Sequence, residues 1–252
     1  MQDLYPYIFK RKSFHRFGPF EPFTQQEKDS LIELFSSLDP LDSSIQTKIL
    51  LVPIEETSCK RGEYCILIYS EQRGAYLENA GYMGAQLDLM LSSQDVGCCW
   101  YGVGKPAQEY CEGLRFVIML AVAKQECTLF RKDYTKAKRK TVSQIWEGET
   151  LGSVSDVVRY APSACNTQPW LVKREGQHLL VFRVSGKRGI MSKALVGYYN
   201  RIDLGIFLCF LELCLDHACI ACTRELLAEG DLLYSGTPCA AYRLVRTEGW
   251  IC

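Results

Sequence analysis

The spacing of apolar and polar residues in the first half of the chain predicts helices and strands in alternation. Apolar residues recur at helical intervals after Thr24, and Glu27 stands three residues later, as in a capping box. This helix is expected to stop at Asp39-Pro40. An apolar stripe from Tyr82 to Ser93 predicts a central helix that ends with Gly97 as its C-cap. Three short runs rich in β-forming residues predict strands, at 49–52, 64–69 and 116–122.

The second half predicts the same order of elements. A short helix is expected at 154–159 and a very apolar central helix at Ile202–Leu215. Strands are expected at 170–172, 179–184 and 240–245. The central helix contains Asp203 and Glu212, which makes it too charged and too short to span a bilayer, so we expect it to be buried between the halves. The pattern as a whole predicts an α+β protein.

Weak sequence repeats, in the same order in both halves, indicate an internal duplication. Arg11-Lys12-Ser13 returns 128 residues later as Arg139-Lys140-Thr141, and the run 46–52 returns 120 residues later at 166–172. Four residues of the first central helix region return 121 residues later, namely Asn79, Gly84, Asp95 and Cys98. We therefore expect two similar halves, 1–130 and 139–252, joined by a basic linker at 131–138 and packed as a pseudo-dimer in one integrated fold.

Charge and cysteine content narrow the class of protein. The 252 residues carry 29 basic and 29 acidic side chains, so the net charge gives no reason to expect a nucleic acid or an anionic membrane as a partner. The 13 cysteines are too few for a disulfide scaffold. The start of the chain also lacks the charge and apolar pattern of a signal peptide. These features predict a soluble cytoplasmic protein.

The sequence offers little for metal binding or for nucleophilic catalysis. Cys219 and Cys222 form a lone C-x-x-C that follows a helix, whereas zinc needs a second pair and a redox motif opens a helix after a strand. The histidines, His15, His178 and His217, are scattered, so no triad can be proposed from their spacing. We therefore predict no metal site and no catalytic side chain.

Two segments carry candidate chemistry. The run Tyr160–Trp170 crowds a serine, two amide side chains and two prolines between a helix and a strand. This set suits recognition of a planar heterocycle with alternating donors and acceptors, although a rigid turn has the same composition. The cluster Lys10–Arg16 is either a solvated edge or a phosphate site, in which the Arg11 fork and the Ser13 hydroxyl would bind oxygens.

Both segments resemble the signatures of the nitroreductase family of FMN enzymes. Residues 161–170 match every fixed position of its Ala-Pro-Ser-Ala-x-Asn-x-Gln-Pro-Trp pattern, and Arg11-Lys12-Ser13-Phe14-His15-Arg16-Phe17 resembles Arg-Arg-Ser-x-Arg-x-Phe, with Lys12 and His15 as basic substitutions. The signatures lie about 150 residues apart, one in each half, counted along the printed chain. This separation is similar to the single-chain branch of the family, in which two half-repeats imitate the usual homodimer.

The resemblance implies one complete FMN site with contributions from both halves. The first half would supply Arg11, Lys12, Ser13 and His15. The second half would supply Pro162, Ser163, Ala164, Asn166 and Gln168. Gly97 and Cys98 resemble the family's Gly-Leu-Gly loop near the flavin, with a simple helix cap as the alternative, and Lys124 occupies the place of a phosphate contact or is a surface lysine. A second site, combining 139–141 with 43–48, is expected to be empty.

The function implied by the resemblance is FMN-dependent transfer of electrons from NAD(P)H to a nitro compound, a quinone or a similar small-molecule acceptor. The flavin would carry the chemistry, which explains the lack of a catalytic dyad. A monomer is expected, since the pseudo-dimer already supplies both halves. The alternative is a degenerate relative that keeps the fold and only binds flavin or acts as a scaffold.

Overall fold

The structure, a computed structural model, describes residues 3–184, 191–227 and 236–245, and divides between Tyr134 and Thr135 into two compact units. The division falls inside the predicted linker 131–138. The first unit is residues 1–134 and the second is residues 135–252.

The first unit is built around an antiparallel sheet. Its helices are α1 (Tyr7–Lys10), α2 (Gln25–Ser36) and α3 (Tyr76–Ser93). Its strands are β1 (Thr47–Pro53), β2 (Tyr64–Ser70), β3 (Val96–Trp100), β4 (Tyr110–Cys111) and β5 (Leu114–Lys124). The strands lie in the order β1-β2-β5-β3, and the short β4 pairs with β5. Strands β2, β3 and β5 are mostly buried, whereas β1 is half-buried along its whole length.

In its described residues, the second unit is also built around a sheet of five strands, with three α-helices. Its helices are α4 (Val142–Ile145), α5 (Ser153–Val158) and α6 (Lys193–His217). Its strands are β6 (Trp146–Glu147), β7 (Trp170–Glu175), β8 (His178–Arg183), β9 (Ala221–Leu226) and β10 (Thr237–Val245). The sheet order is β6-β7-β8-β10-β9, with β6 parallel to β7 and the other pairs antiparallel. If the short strands β4 and β6 are left out of the comparison, the four remaining strands of each sheet lie in the same order: first, second, fourth and third along the chain.

The long helix α6 belongs to the interior of the protein. Within the described ranges it is the one helix long and apolar enough to cross a membrane, but 61% of its apolar window is buried inside the protein. Phe207 on α6 stacks on the fully buried Trp170 of β7, with ring centroids 4.8 Å apart. Such burial is typical of the core helix of a soluble protein.

The start of α2 confirms the predicted capping box. The Thr24 side chain accepts a hydrogen bond from the Glu27 backbone N–H at 3.2 Å, and the Glu27 carboxylate accepts one from the Thr24 N–H at 2.7 Å. The helix ends at Ser36, a few residues before the Asp39-Pro40 that was expected to stop it.

The predicted C-cap at Gly97 is wrong, and so is the predicted loop at Gly97 and Cys98. Helix α3 ends at Ser93, and both residues lie in strand β3, paired with β5. A Cβ at position 97 would lie 2.7 Å from Cγ of Gln125 and 3.1 Å from the Phe14 ring. Glycine is therefore required by the close approach of neighbouring side chains rather than by a helix end.

The sequence analysis did not predict strands β3 and β9, or the two-residue strands β4 and β6. Strand β9 is an edge strand whose residues alternate between exposed and half-buried positions, so it lacks a continuous apolar signal. It contains Cys222, which is a free thiol, whereas Cys219 is disulfide-bonded. The two cysteines of the C-x-x-C are therefore not bonded to each other.

Candidate functional site

Arg11, the first residue of the N-terminal signature, is buried in the first unit. It follows α1 as its C-cap, is 1% exposed, and its Nε donates to Oδ2 of Asp88 at 3.0 Å. Trp100 Nε1 donates to the same oxygen at 3.0 Å. The Nη2 atom of Arg11 is buried without a hydrogen-bond partner in the described part of the chain. Half of the guanidinium fork thus holds Asp88, and the other half retains an unused donor.

Ser13 and His15 lie beside strand β3. Ser13 forms a parallel β-bridge with Cys98, and the Phe14 N–H donates to the Cys98 carbonyl at 2.9 Å. Nδ1 of His15 lies 3.8 Å from Sγ of Cys99. Burial raises the pKa of the Cys98 thiol well above its ordinary value. The structure therefore places Ser13 beside Cys98, whose thiol is neutral, and His15 beside Cys99.

The two candidate lysines of the first unit have partners within that unit. Lys12 Nζ donates to the Leu129 carbonyl at 2.8 Å. Lys124 Nζ contacts both Glu27 carboxylate oxygens at 3.0 Å and lies over the Phe23 ring, beside a cavity of about 360 Å³. The Thr24 backbone hydrogen bond and the Lys124 contact lower the pKa of the Glu27 carboxyl. A phosphate that binds Lys124 would have to compete with the Glu27 carboxylate.

The second signature forms a tightly turned loop in the second unit, between α5 and β7. Cys165, Asn166 and Gln168 all have left-handed backbone angles, with φ of 50°, 55° and 50°. The Gln168 N–H donates to Oγ of Ser163 at 2.9 Å, which closes the turn. Left-handed conformations are unfavourable for residues other than glycine, and such strain is found at ligand sites.

The basic residues after the linker hold this loop within the second unit. Oδ1 of Asn166 accepts from Arg139 Nη1 at 2.7 Å, and Nδ2 of Asn166 donates to the Lys138 carbonyl at 2.8 Å. Gln168 accepts from the Lys140 N–H at 2.8 Å through its side chain, and its carbonyl accepts from Lys140 Nζ at 2.8 Å. Burial lowers the pKa of Lys140. Arg139 and Lys140, expected to belong to an empty second site, therefore support the complete signature.

Asp203 on α6 lies beneath the first turn of the loop. The Ala164 N–H donates to its Oδ1 at 2.9 Å, and its Oδ2 is buried with no hydrogen-bond partner among the described residues. Burial raises the pKa of Asp203 to about 8, against the opposing effect of the Ala164 hydrogen bond. Asp203 is therefore protonated at neutral pH. Pro162 and Ser163, at the start of the loop, are half-buried.

Asp88 and Asp203 are the site residues that the sequence analysis did not identify. Each is a carboxylate inside a largely apolar helix, and each is 3% exposed or less. A buried acid needs a specific partner. That rule could have singled out both residues, whereas Asp203 was used only to argue against a membrane span.

Most of the chain is similar in fold to a known crystal structure. This is a structure of a putative nitroreductase from Thermotoga maritima, with 19% sequence identity and a TM-score of 0.60, covering 96% of this chain and 93% of that chain. The similarity defines the nitroreductase-like α+β fold. A family model described as "Putative TM nitroreductase" matches residues 3–215. The chain belongs to this family of nitroreductases.

Partial similarities to two further structures carry no argument because their TM-scores are low. One is titled a putative NADH dehydrogenase/NAD(P)H nitroreductase from Parabacteroides distasonis (15% identity, TM-score 0.43, covering 60% of this chain and 99% of that one). The other is iodotyrosine deiodinase bound to FMN and 3-iodo-L-tyrosine (15% identity, TM-score 0.39, covering 55% and 97%). No protein of curated function matches the sequence.

Proposed function

We propose that this protein is an FMN-dependent oxidoreductase that takes electrons from NAD(P)H and passes them to a nitro compound, a quinone or a similar small molecule. Membership of the nitroreductase family over residues 3–215 is the observation that carries the proposal. The bound flavin supplies the electron transfer, and the protein supplies binding, orientation and exclusion of water. No side chain is assigned as a catalytic acid or base.

The phosphate end of FMN is assigned to the N-terminal signature. Arg11 fits this role because its buried Nη2 retains a donor without a partner in the described structure, and a phosphate oxygen would accept from it. Ser13 adds a hydroxyl, and Lys12 and His15 add basic groups nearby in sequence. Lys124 is a weaker assignment, since Glu27 already binds its ammonium group.

The ring end of FMN is assigned to the loop of the second unit. Ser163 fits because its Oγ accepts from Gln168, which leaves the hydroxyl proton for an acceptor on a heterocycle. Pro162 offers a rigid apolar surface. The N–H of Ala164 and the side chain of Asn166 are bound within the unit, so we assign them the shaping of the loop. Gly97 and Cys98 offer a strand backbone close to Ser13.

We also propose that the two units arose by duplication and act as a pseudo-dimer in a monomeric cytoplasmic protein. The common strand order of the two sheets and the sequence repeats support this proposal. A fused pair would leave one half free to lose its own signature, and the run 43–48 in the first unit lacks the prolines and tryptophan of 161–170. The duplication thus accounts for the distance between the two signatures along the chain.

The test is whether the purified protein binds and uses FMN. It should be yellow and release FMN on denaturation, and the colourless apoprotein should regain the flavin spectrum on addition of FMN. Anaerobic NADH or NADPH should then bleach the flavin, and a nitroaromatic or quinone should restore its colour. Protein that cannot be loaded with FMN would refute the cofactor assignment. Bound flavin that no nicotinamide reduces would favour the alternative, a flavin binder that has lost activity.

A further inference from the structure

In each unit, one side chain of the central helix accepts hydrogen bonds from the backbone of a loop, and the two loops occupy corresponding places in their units. In the first unit, Oδ1 of Asn79 on α3 accepts from the backbone N–H of Leu41 at 2.7 Å and of Asp42 at 3.1 Å. In the second unit, Oδ1 of Asp203 on α6 accepts from the backbone N–H of Ala164 at 2.9 Å. Each acceptor is buried, and each bond reaches the loop that precedes the first long strand of its sheet.

The residue that matches Asn79 by sequence offset does not perform this task. Asn200 stands 121 residues after Asn79, is buried, and its Oδ1 has no hydrogen-bond partner in the described ranges. Asp203, one turn further along α6, binds the loop in its place. The second unit therefore uses a different residue on the same helix for the same contact.

The loop that Asp203 holds is strained and needs an anchor. Three residues close to Ala164 have left-handed backbones, and each such conformation costs on the order of 1 kcal/mol or more. The loop keeps this shape only if contacts with its surroundings offset the cost. Asp203 provides such a contact from the central helix. Its side chain is 3% exposed, and its Oδ1 accepts the hydrogen bond of the Ala164 N–H.

We propose that Asp203 is a positioning residue that holds the loop 162–168 in the shape required for flavin binding. The anchoring itself is a property of the apoprotein, whereas its purpose rests on the proposed function. Asp203 acts through the Ala164 N–H, so its effect on the cofactor is indirect. The essential feature is the acceptor oxygen, which asparagine also provides.

The experiment compares hydrogen exchange and FMN affinity in matched variants. Asp203→Asn keeps the acceptor, and Asp203→Leu removes it while keeping the branching at Cγ. Asp203→Ala is a second variant without an acceptor, in case the larger leucine prevents folding. Asn79→Leu is the control, because it releases the corresponding loop of the first unit. Amide exchange of the peptide 162–168 is measured in FMN-free protein, with peptides from β8 as a reference for global opening.

We expect Asp203→Leu and Asp203→Ala to speed exchange in 162–168 by about tenfold, the scale of one lost hydrogen bond. They should also weaken FMN binding by about the same factor. In Asp203→Asn, the exchange rate of 162–168 and the FMN affinity should both stay within about twofold of wild type. In Asn79→Leu, both should likewise stay within about twofold of wild type. Rescue by asparagine separates loss of the acceptor from general damage to the core.

Two results would overturn the proposal. If exchange in 162–168 stays at the wild-type rate in both variants without an acceptor, Asp203 is not the anchor. If exchange accelerates but FMN affinity stays unchanged, the anchor has no part in cofactor binding. Wild-type protein that binds no FMN would contradict the proposed function instead, and the exchange measurement would still decide whether Asp203 holds the loop.

Discussion

Removal of the ionisable group at position 203 should change how the stability of the protein depends on pH. Asp203 is buried on α6, and among the described residues its carboxyl has one hydrogen bond, from the Ala164 backbone, and no ion pair with a cation. Burial raises its pKa from the ordinary 3.8 to about 8 in the folded protein. Between these two pH values, folding therefore requires the carboxyl to take up a proton that the unfolded chain has released.

The sign and size of the effect follow from proton linkage. A carboxyl whose folded pKa is raised gives its full stability below pH 3.8, and loses it as the pH rises towards about 8. Between pH 5 and pH 7 the unfolded chain is ionised at this position and the folded chain is protonated. Over these two pH units the free energy of unfolding should fall by about 3 kcal/mol because of Asp203 alone.

The assay is urea unfolding of wild type and Asp203→Asn at pH 5, 6 and 7. Asparagine keeps the acceptor and does not titrate, so the variant should gain about 3 kcal/mol on wild type between pH 5 and pH 7. The control is Asp216→Asn, which removes an exposed carboxylate from the same helix. If the stabilities of wild type and Asp203→Asn change in parallel across this range, Asp203 is not neutral in the folded protein. If Asp216→Asn gains as much stability as Asp203→Asn, the effect comes from net charge.

Three further substitutions test other parts of the structure by urea unfolding. Asp88→Asn should lower the free energy of unfolding by about 3 to 5 kcal/mol, because it leaves the buried Arg11 cation without its counter-charge. A loss below about 1 kcal/mol, the value typical of an exposed ion pair, would contradict a buried Arg11–Asp88 pair. Gly97→Ala should cost about 1 to 3 kcal/mol by overpacking. Gly197→Ala in α6, where an added Cβ would lie an unstrained 3.9 Å from Arg183 Nη1, should be neutral or stabilising by up to about 1 kcal/mol; equal effects would be inconsistent with the close contacts at Gly97. Thr24→Ala should cost about 1 kcal/mol through loss of the capping box, and Thr24→Ser should retain most of that stability because it keeps the hydroxyl; equal losses in both variants would contradict this role of the hydroxyl.

The sequence predicted those parts of the fold that local interactions determine. The capping box of Thr24 and Glu27 depends on residues three apart, and the apolar periodicity of the central helices is also a local property. Gly97 was misread because its role depends on Phe14, which is distant in sequence and close in the sheet. The hydrogen bonds that shape 162–168 were likewise beyond reach, since they come from the residues after the linker and from α6.

The two buried acids show why a site cannot be derived from residue types alone. Asp88 and Asp203 are both buried carboxylates in largely apolar helices, and the sequence alone does not distinguish them. The fold gives Asp88 a guanidinium at 3.0 Å and an indole N–H on the same oxygen, so its charge is balanced. Within the described ranges it gives Asp203 one backbone N–H, at 2.9 Å, which does not offset the loss of water. The first acid therefore fixes a cation of the N-terminal signature, and the second stays protonated and fixes a backbone loop. The two acids have different roles because the tertiary structure places different hydrogen-bond donors beside them.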